Sequence, residues 1–246
     1  MNIMNRLFLL ICAGLTMFAM TGNVLGQEEG TDGDEKLSLS VDVASGFVWR
    51  GLILNTSPVV QPSLTFTAGR FSIGTWASTP FVSYEYQELD IFANFQITPF
   101  LSIGITDYFN NSWGALSYFK YDKEDTGHAF DFQLMYDGSG SLPLKAMVST
   151  IFAGDDLNDK GKNNFSTYLE LGYGNTCKKV DWEVAIGGVP MSSGFYEIDE
   201  AKIVNLRLGV SKNFEITPTY SLPLSLNFTV NPTAKAAFLT ASVTLF

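Results

Sequence analysis

The chain has 246 residues, with 15 Lys and Arg against 25 Asp and Glu, a net charge of −10, and 46% hydrophobic residues. This apolar content argues against a disordered chain, and the acidic balance argues against nucleic acid binding, because the chain would repel phosphates. Abundant aromatic and β-branched residues favour strands, and one all-β domain can hold a chain of this length.

The N-terminal end has the pattern of an export signal. Arg6 supplies a positive charge, residues 7–20 are apolar, and small residues precede Gln27. The apolar run is shorter than the roughly 18 residues that a membrane-spanning helix needs. We therefore predict a signal peptide over residues 1–26 and a flexible acidic leader over residues 27–36.

Cysteine content limits how the exported chain is stabilised. Cys177 is the only cysteine beyond the signal peptide, so an intrachain disulfide and a cysteine-based metal site are both excluded. An exported protein of this size then needs a large core or a membrane. No later apolar run is long enough for a helix, which leaves a barrel as the membrane option.

From Leu37 onward, apolar and polar residues alternate with the period of a β-strand. Each segment is close to the length of about 9–11 residues with which a tilted strand crosses a bilayer. Aromatic residues such as Trp49 and Tyr196 flank the strand ends, as in the interfacial girdles of membrane barrels. Twelve such segments are centred on residues 37–43, 60–66, 71–73, 89–97, 101–105, 130–136, 144–148, 165–173, 180–186, 204–210, 222–228 and 237–245.

The predicted connections alternate in length. Every second one is a short turn, at residues 68–70, 98–99, 137–141, 174–178 and 213–219. The others are mostly longer, at residues 52–58, 79–87, 110–127, 154–163 and 188–200, with a short one at 231–233. This arrangement is typical of outer-membrane barrels, whereas a soluble sandwich has no such regularity. We predict an all-β fold, a single antiparallel transmembrane barrel of about twelve strands over residues 37–246, in the outer membrane of a Gram-negative bacterium.

Residues 41–51 (VDVASGFVWRG) resemble the opening strand of a family of small, largely uncharacterised outer-membrane proteins, whose signature is similar to D-x-x-S-x-Y-V-x-R-G. Gln61, residues 71–76 and residues 88–92 continue the likeness in order, and Phe47 stands where the family tends to have Tyr. The resemblance implies a barrel, and it supplies no established chemistry.

Polar residues of the strands are predicted to face the lumen. A Lys or Arg that faced lipid at the midplane would cost about 2–4 kcal/mol, which favours the inward side for charges. The predicted lumen-lining residues are Asp42, Arg50, Trp76, Glu88, Asp90, Glu170 and Arg207. Two interpretations stay open, a barrel filled by paired charges and a polar channel for small solutes. A twelve-stranded barrel is intermediate in width between filled eight-stranded barrels and open porins, so the number of strands does not decide between the two interpretations.

Arg50 is predicted to face inward near the extracellular end of the first strand. Glu88 and Asp90 open the fourth strand, and Trp76 lies near the same end of the third. Curvature and the long side chain would bring the guanidinium to one of these carboxylates, with Trp76 available for stacking. The sequence therefore predicts an ion pair between Arg50 and Asp90 or Glu88.

Residues 155–159 form an acidic cluster, and oxygen-rich clusters suit Ca²⁺. Lys160 stands where an EF-hand loop has a ligand, and no Glu follows at the twelfth position. A solvated acidic loop is therefore favoured over a calcium site.

Catalysis has little support in the sequence. His128 is the only histidine, and it adjoins Gly127 without the residue pattern of a Ser–His site. The sequence contains no phosphate loop, zinc spacing or nucleotide fingerprint. We predict that the chain is not an enzyme and uses no cofactor or metal.

The preferred function is passive passage or binding of small polar solutes through a narrow acidic lumen. The acidic excess would concentrate cations there, so a conducting pore is expected to prefer them. The alternative is a structural or interaction barrel that acts through its extracellular loops without transport, and a soluble secreted β-protein is a third class. The expected partners are outer-membrane lipid, the barrel-assembly machinery and small polar or cationic solutes, but not nucleic acid.

Overall fold

The structure is a computed structural model that describes residues 35–81, 86–110, 117–122, 126–138 and 143–245. The predicted signal peptide at residues 1–26 and almost all of the acidic leader at residues 27–36 lie outside the described residues. Within the described ranges, no helix is long and apolar enough to cross a membrane.

The described fold consists of strands joined by turns and loops. The strands are β1 (Glu35–Ala44), β2 (Phe47–Trp49), β3 (Leu52–Asn55), β4 (Val59–Ala68), β5 (Phe71–Pro80), β6 (Glu88–Thr98), β7 (Leu101–Asn110), β8 (His128–Tyr136), β9 (Leu144–Gly154), β10 (Thr167–Cys177), β11 (Val180–Val189), β12 (Lys202–Thr217), β13 (Tyr220–Asn231) and β14 (Ala236–Thr244). All but β2 and β3 form one closed antiparallel barrel of twelve strands. The predicted all-β barrel is confirmed.

Closure of the barrel joins the first strand to two neighbours. β1 pairs with β4 from Glu35↔Ala68 to Ala44↔Val59. β1 also pairs with β14, where Ala44 lies opposite Ser242. Both edges of the sheet are thereby hydrogen-bonded, which removes the open edges that a flat sheet would expose.

Side chains alternate between an apolar outer face and a polar inner face. On β12, Leu206 and Leu208 are exposed, whereas Asn205 is buried. On β10, Leu171 is 58% exposed, whereas Tyr168 is fully buried. Each of the twelve barrel strands exposes at least one large hydrophobic side chain in this way. The barrel is therefore apolar on its outside, which is the reverse of a soluble β-protein.

The barrel has two unequal ends. Two-residue turns join β4 to β5, β6 to β7, and β10 to β11, at residues 69–70, 99–100 and 178–179. Lys178 and Lys179 have φ of +51° and +65°, and positive φ at both central residues is the geometry of a type I′ hairpin turn. We call the end with these turns the short-turn end and the opposite end the long-loop end.

A small hairpin lies inside the barrel, where the sequence predicts that the first strand continues. The sequence predicts one strand that continues through Trp49, but the barrel strand ends at Ala44. β2 and β3 instead pair with each other as a separate hairpin, which we call the inner hairpin (residues 47–55). Arg50 and Gly51 form its two-residue tip, with φ of +47° and +83°. The apolar period of β2 is in phase with that of β1, which hides the break.

Aromatic contacts on two sides hold the inner hairpin. Phe47 packs against Trp76 and Tyr86, with ring centroids 5.3 and 6.2 Å away. Trp49 stacks on Tyr196 with centroids 5.8 Å apart and planes within 2° of parallel. Tyr196 belongs to the loop between β11 and β12 and is buried. Trp49 and Tyr196 therefore pack on each other inside the barrel, and their predicted place in an interfacial girdle is wrong.

Candidate functional site

The tip of the inner hairpin carries a buried ion pair. Arg50 Nη2 lies 2.8 Å from Asp131 Oδ2, and the two side chains are 6% and 0% exposed. Asp131 lies on β8, near the long-loop end of that strand. The pair therefore joins the hairpin tip to the barrel wall. A charged pair with so little solvent contact needs its remaining hydrogen-bonding groups to be satisfied.

Asp131 accepts hydrogen bonds from three other wall residues. The Tyr108 hydroxyl and the Gln133 amide each donate to Oδ2 at 3.2 Å. The Ser149 hydroxyl lies 2.8 Å from both carboxylate oxygens. Together with the Arg50 guanidinium, these donors replace the water that the carboxylate loses on burial.

Aromatic rings surround the Arg50 guanidinium. Its Cζ lies 4.4 Å from the ring centroid of Trp49 and 5.0 Å from that of Tyr168. Its Nη1 donates to the Tyr196 hydroxyl at 2.8 Å. Burial raises the pKa of Tyr196 to about 12, so this hydroxyl stays protonated at neutral pH. Arg50 thus contacts β8, β10 and the loop between β11 and β12.

A second group of charges lies nearer the short-turn end. Arg207 pairs with Glu183, which also pairs with Lys145. Arg207 Nη2 lies 4.0 Å from Glu170, and the Asn205 amide donates to Glu170 at 3.0 Å. Two cations thus balance two carboxylates, so this group adds no net charge to the lumen.

The predicted partners of Arg50 lie elsewhere. Glu88 and Asp90 are both buried on β6, and the Tyr86 hydroxyl donates to Glu88. Among the described residues, the carboxylate that pairs with Arg50 is Asp131, so the predicted pair with Asp90 or Glu88 is wrong. The prediction assumed that Arg50 stays on the wall beside β5 and β6. The hairpin carries it into the lumen toward β8 instead.

The other predicted lumen residues are spread over three places. Trp76 packs against β2 of the inner hairpin. Asp42 accepts a hydrogen bond from the Thr244 hydroxyl at 2.6 Å, across the junction of β1 and β14. Glu170 and Arg207 belong to the second charge group. These residues therefore lie in separate groups and do not form one cluster with Arg50.

Described residues line two cavities of the lumen, which we call the lower chamber and the upper chamber. The lower chamber, of about 450 Å³, lies at the short-turn end and is lined by β4 to β8, including Thr67, Arg70, Ser72, Phe92, Asn94 and Gln133. The upper chamber, of about 330 Å³, lies against the hairpin tip, and its lining includes Arg50, Gln133, Glu170, Asn205 and Arg207. Gln133 lines both cavities, so the two chambers adjoin there.

Sequence reasoning missed the structural roles of Gly51 and Tyr168. The Gly51 carbonyl accepts a hydrogen bond from the Asn231 amide at 3.2 Å. The Tyr168 ring lies against Gly187, where an added Cβ would be 1.9 Å from the tyrosine oxygen. A signal for the hairpin does exist, because the apolar runs FVW and LIL are separated by two residues, the spacing of a two-residue turn.

His128 is buried at the long-loop end with both ring nitrogens engaged. Its Nδ1 lies 2.8 Å from Asp107 Oδ1, and its Nε2 lies 2.6 Å from the carbonyl oxygen of Tyr118. The Tyr121 ring stacks on the imidazole with centroids 4.3 Å apart. The imidazole thereby fastens part of the connection between β7 and β8 to the barrel. That the chain is not an enzyme stays a prediction.

In the acidic loop between β9 and β10, Asp156 and Asn158 accept hydrogen bonds from the protein itself. Asp156 is 3% exposed, and it accepts hydrogen bonds from the Ser166 backbone N–H at 2.8 Å and from the Ser166 hydroxyl at 2.7 Å. Asn158 Oδ1 accepts from the backbone N–H groups of Lys160 and Lys162. Over the described part of the chain, no group of three or more His, Cys, Asp or Glu side chains is arranged to hold a metal ion.

Asp156→Ala is expected to lower the free energy of unfolding by about 1–3 kcal/mol, because it leaves the buried backbone N–H of Ser166 without its acceptor. Urea unfolding of the purified barrel measures this loss. Asp159→Ala, at an exposed position of the same loop, is the matched control and should cost less than about 0.5 kcal/mol. Equal losses in the two variants would contradict a structural role of Asp156.

The chain belongs to the Gcw_chp family, described as a bacterial protein of unknown function, which matches residues 28–242. The match covers β1 to β13 and most of β14, and it fits the uncharacterised family expected from the sequence. No curated protein and no solved structure matches the chain.

Proposed function

We propose that this chain is an outer-membrane β-barrel that binds and passes small polar solutes, and that the inner hairpin keeps its long-loop end closed. The observation that carries the proposal is an apolar outer surface around a polar lumen into which the Arg50–Asp131 pair reaches. The twelve-stranded barrel and the bacterial family support an outer-membrane location.

The outer surface supports insertion into lipid. Leu37, Leu171 and Leu239 are 57%, 58% and 71% exposed, and similar side chains lie on every barrel strand. Contact with water would cost about 25 cal/mol per Å² of this apolar surface, and lipid removes that cost. The partners that such a surface requires are outer-membrane lipid and the barrel-assembly machinery.

The contacts of the inner hairpin support a closed resting state. Its tip is joined to β8 by the Arg50–Asp131 pair and to β13 by the hydrogen bond from Asn231 to Gly51. Separating these buried groups is costly unless they regain partners. Because the hairpin lies in the lumen at the long-loop end, passage requires the hairpin to move. A solute that enters from the short-turn end can reach the lower chamber without that movement.

Removal of the inner hairpin tests this proposal. Ala44 and Val59 are the last pair of the β1–β4 ladder at the long-loop end. Beyond this pair the backbone groups point away from each other, because the Ser45 N–H donates to the Ala241 carbonyl and the Pro58 carbonyl accepts from the Phe81 N–H. A two-residue Asn-Gly turn can therefore replace residues 45–58 without a change in barrel register. We expect the shortened barrel to give discrete conductance steps in planar bilayers, and the full-length barrel to stay closed for most of each recording.

The loop at residues 158–162 gives the matched control. The Asn158 N–H donates to the Lys162 carbonyl at 2.8 Å, and the residues between them are exposed. The same Asn-Gly turn can therefore replace residues 159–161 at the same end of the barrel. This control is expected to stay closed. Silence of the hairpin-deleted barrel, with the heat-sensitive gel mobility of a folded barrel retained, would contradict passage. Equal conductance of both shortened barrels would contradict closure by the hairpin.

A structural or interaction barrel is the second candidate function, and exposed aromatic side chains favour it. Phe81, Phe119 and Phe165 are 59%, 85% and 53% exposed in connections at the long-loop end. Large exposed aromatic groups are typical of contact surfaces. A hairpin-deleted barrel that is silent but fractionates with the outer membrane would favour this function. Recovery from the periplasm or medium without detergent would indicate a soluble secreted protein instead.

A further inference from the structure

We infer that the lower chamber binds an uncharged polyhydroxy solute with the chemistry of a short saccharide. Its volume of about 450 Å³ falls within the range of about 300–1,000 Å³ that is usual for small-molecule sites. The inference rests on the proposed function only for the route by which the solute arrives, because binding itself requires no passage. The preference of a conducting pore for cations, expected from the net charge, stays a separate prediction.

The charge distribution of the lumen disfavours a cation in this chamber. Among the described residues that line it, none is Asp or Glu, and the charged one is Arg70, exposed in the turn between β4 and β5. Of the lumen carboxylates elsewhere, Asp131 pairs with Arg50 and Glu183 with an arginine of the second charge group. Glu88 and Asp90 on β6 are not among the residues that line the chamber. A cation in the chamber would lose water without gaining a counter-charge, whereas a neutral solute has no such cost.

Hydroxyl and amide groups dominate the chamber lining. Asn94, Gln96, Ser102, Thr106 and Gln133 all contribute to it. The amide N–H groups of Gln96 and Gln133 already donate to protein oxygen atoms, so these two side chains offer their amide oxygens as acceptors. Asn94 and Ser102 carry both a donor and an acceptor. Sugar hydroxyl groups also donate and accept, so they can match this mixed lining, whereas an ammonium group can only donate and a carboxylate can only accept.

Phe92 adds an apolar surface to this polar lining. Its ring lies across Gly74 of the neighbouring strand, where an added Cβ would be 2.5 Å from Phe92 Cζ. Asn94 lies across Gly104 in the same way, where an added Cβ would be 2.3 Å from Asn94 Oδ1. The glycines let both side chains lie against the wall, which leaves the chamber free. The C–H groups of a sugar ring can then pack on the aromatic ring while its hydroxyls reach the amide and hydroxyl groups.

Calorimetric titration of the full-length barrel in detergent tests the inference. The probes are glucose, glucosamine and glucuronate, which share a sugar ring but differ in charge. We expect glucose to bind about tenfold more tightly than either charged sugar. Asn94→Leu keeps the branching of the side chain at Cγ but replaces its polar groups with methyl groups, and it should weaken glucose binding about tenfold, as expected for one or two lost hydrogen bonds. Ser102→Ala, which removes one hydroxyl, is a second variant and should also weaken binding.

Asn227→Leu is the matched control. Asn227 lies across Gly209 much as Asn94 lies across Gly104, with an added Cβ 2.8 Å from its Oδ1, but it is not among the residues that line the chamber. Its glucose affinity should equal that of the unaltered barrel.

Three results would overturn the inference: no glucose binding, tighter binding of a charged sugar, or equal weakening by Asn94→Leu and Asn227→Leu. If glucose does not bind while the hairpin-deleted barrel conducts, the inference fails and the proposed function stands. If glucose binds while that barrel is silent, passage fails and the binding site stands.

Discussion

Arg50→Ala is expected to lower the free energy of unfolding of the barrel by roughly 3–5 kcal/mol, the usual cost of removing one partner from a buried ion pair. Asp131 would keep the donors Tyr108, Gln133 and Ser149 but lose the cation beside it. Its charge would then lie in a wall position that is 0% exposed. Urea unfolding, followed by the heat-sensitive gel mobility of the folded barrel, measures the loss.

A double-mutant cycle separates the ion pair from the packing around it. Asp131→Ala should cost a similar amount, and the double variant should lose less than the sum, because the second substitution removes the unpaired charge. The exposed pair Lys179–Glu215, with a separation of 3.8 Å and exposures of 85% and 78%, is the control. Lys179→Ala should cost under about 1 kcal/mol. Strictly additive losses for Arg50 and Asp131 would mean that the two charges do not stabilise each other.

The barrel can be predicted from the sequence because every strand obeys the same rule. On β12, Leu206 and Leu208 point outward while Asn205 and Arg207 belong to the lumen, and the other strands repeat this period of two. A barrel with an apolar outside imposes this period on all of its strands. The alternation of short turns with long loops then gives the strand order, since antiparallel neighbours reverse at alternate ends.

The same rule does not distinguish the inner hairpin from a strand of the barrel wall. Phe47 and Trp49 continue the odd-numbered apolar period of β1, although they pack inside the barrel. A lumen hairpin and a wall strand therefore share one sequence pattern. The Arg50–Gly51 pair marks the break, but an ordinary loop at a strand end would contain the same residues.

The partner of a lumen charge is a property of the closed barrel. Arg50 and Asp131 are 81 residues apart, and no local pattern connects them. The expectation of Asp90 or Glu88 rested on closeness along the wall, because both carboxylates lie on the fourth predicted strand, a short distance around the barrel from the first. A hairpin that enters the lumen can reach several walls, so distance along the wall does not limit its partner. Only the direction in which Arg50 points, inward to a carboxylate, follows from the cost of charge in an apolar environment.

Gly51→Ala is expected to displace the tip of the inner hairpin from β12. The φ of Gly51 is +83°, a left-handed conformation that costs an alanine about 1–2 kcal/mol. An added Cβ would lie 1.9 Å from the backbone oxygen of Val204, which belongs to a barrel strand and cannot rotate away as a side chain can. The tip must therefore lift, which breaks the 3.2 Å hydrogen bond from Asn231 and displaces Arg50 from its carboxylate.

Gly69→Ala is the control, because Gly69 also has a positive φ, +56°, but an added Cβ there meets no other atom within 4 Å. It measures the conformational cost alone. We expect Gly51→Ala to lose about 2 kcal/mol or more beyond this control in urea unfolding, since forcing extra volume into a packed site costs about 1–3 kcal/mol. We also expect Gly51→Ala to conduct in planar bilayers while Gly69→Ala stays closed, because the lifted tip opens the long-loop end. Equal stability of the two variants, with both barrels closed, would mean that the tip does not rest against β12 and that another contact closes the lumen.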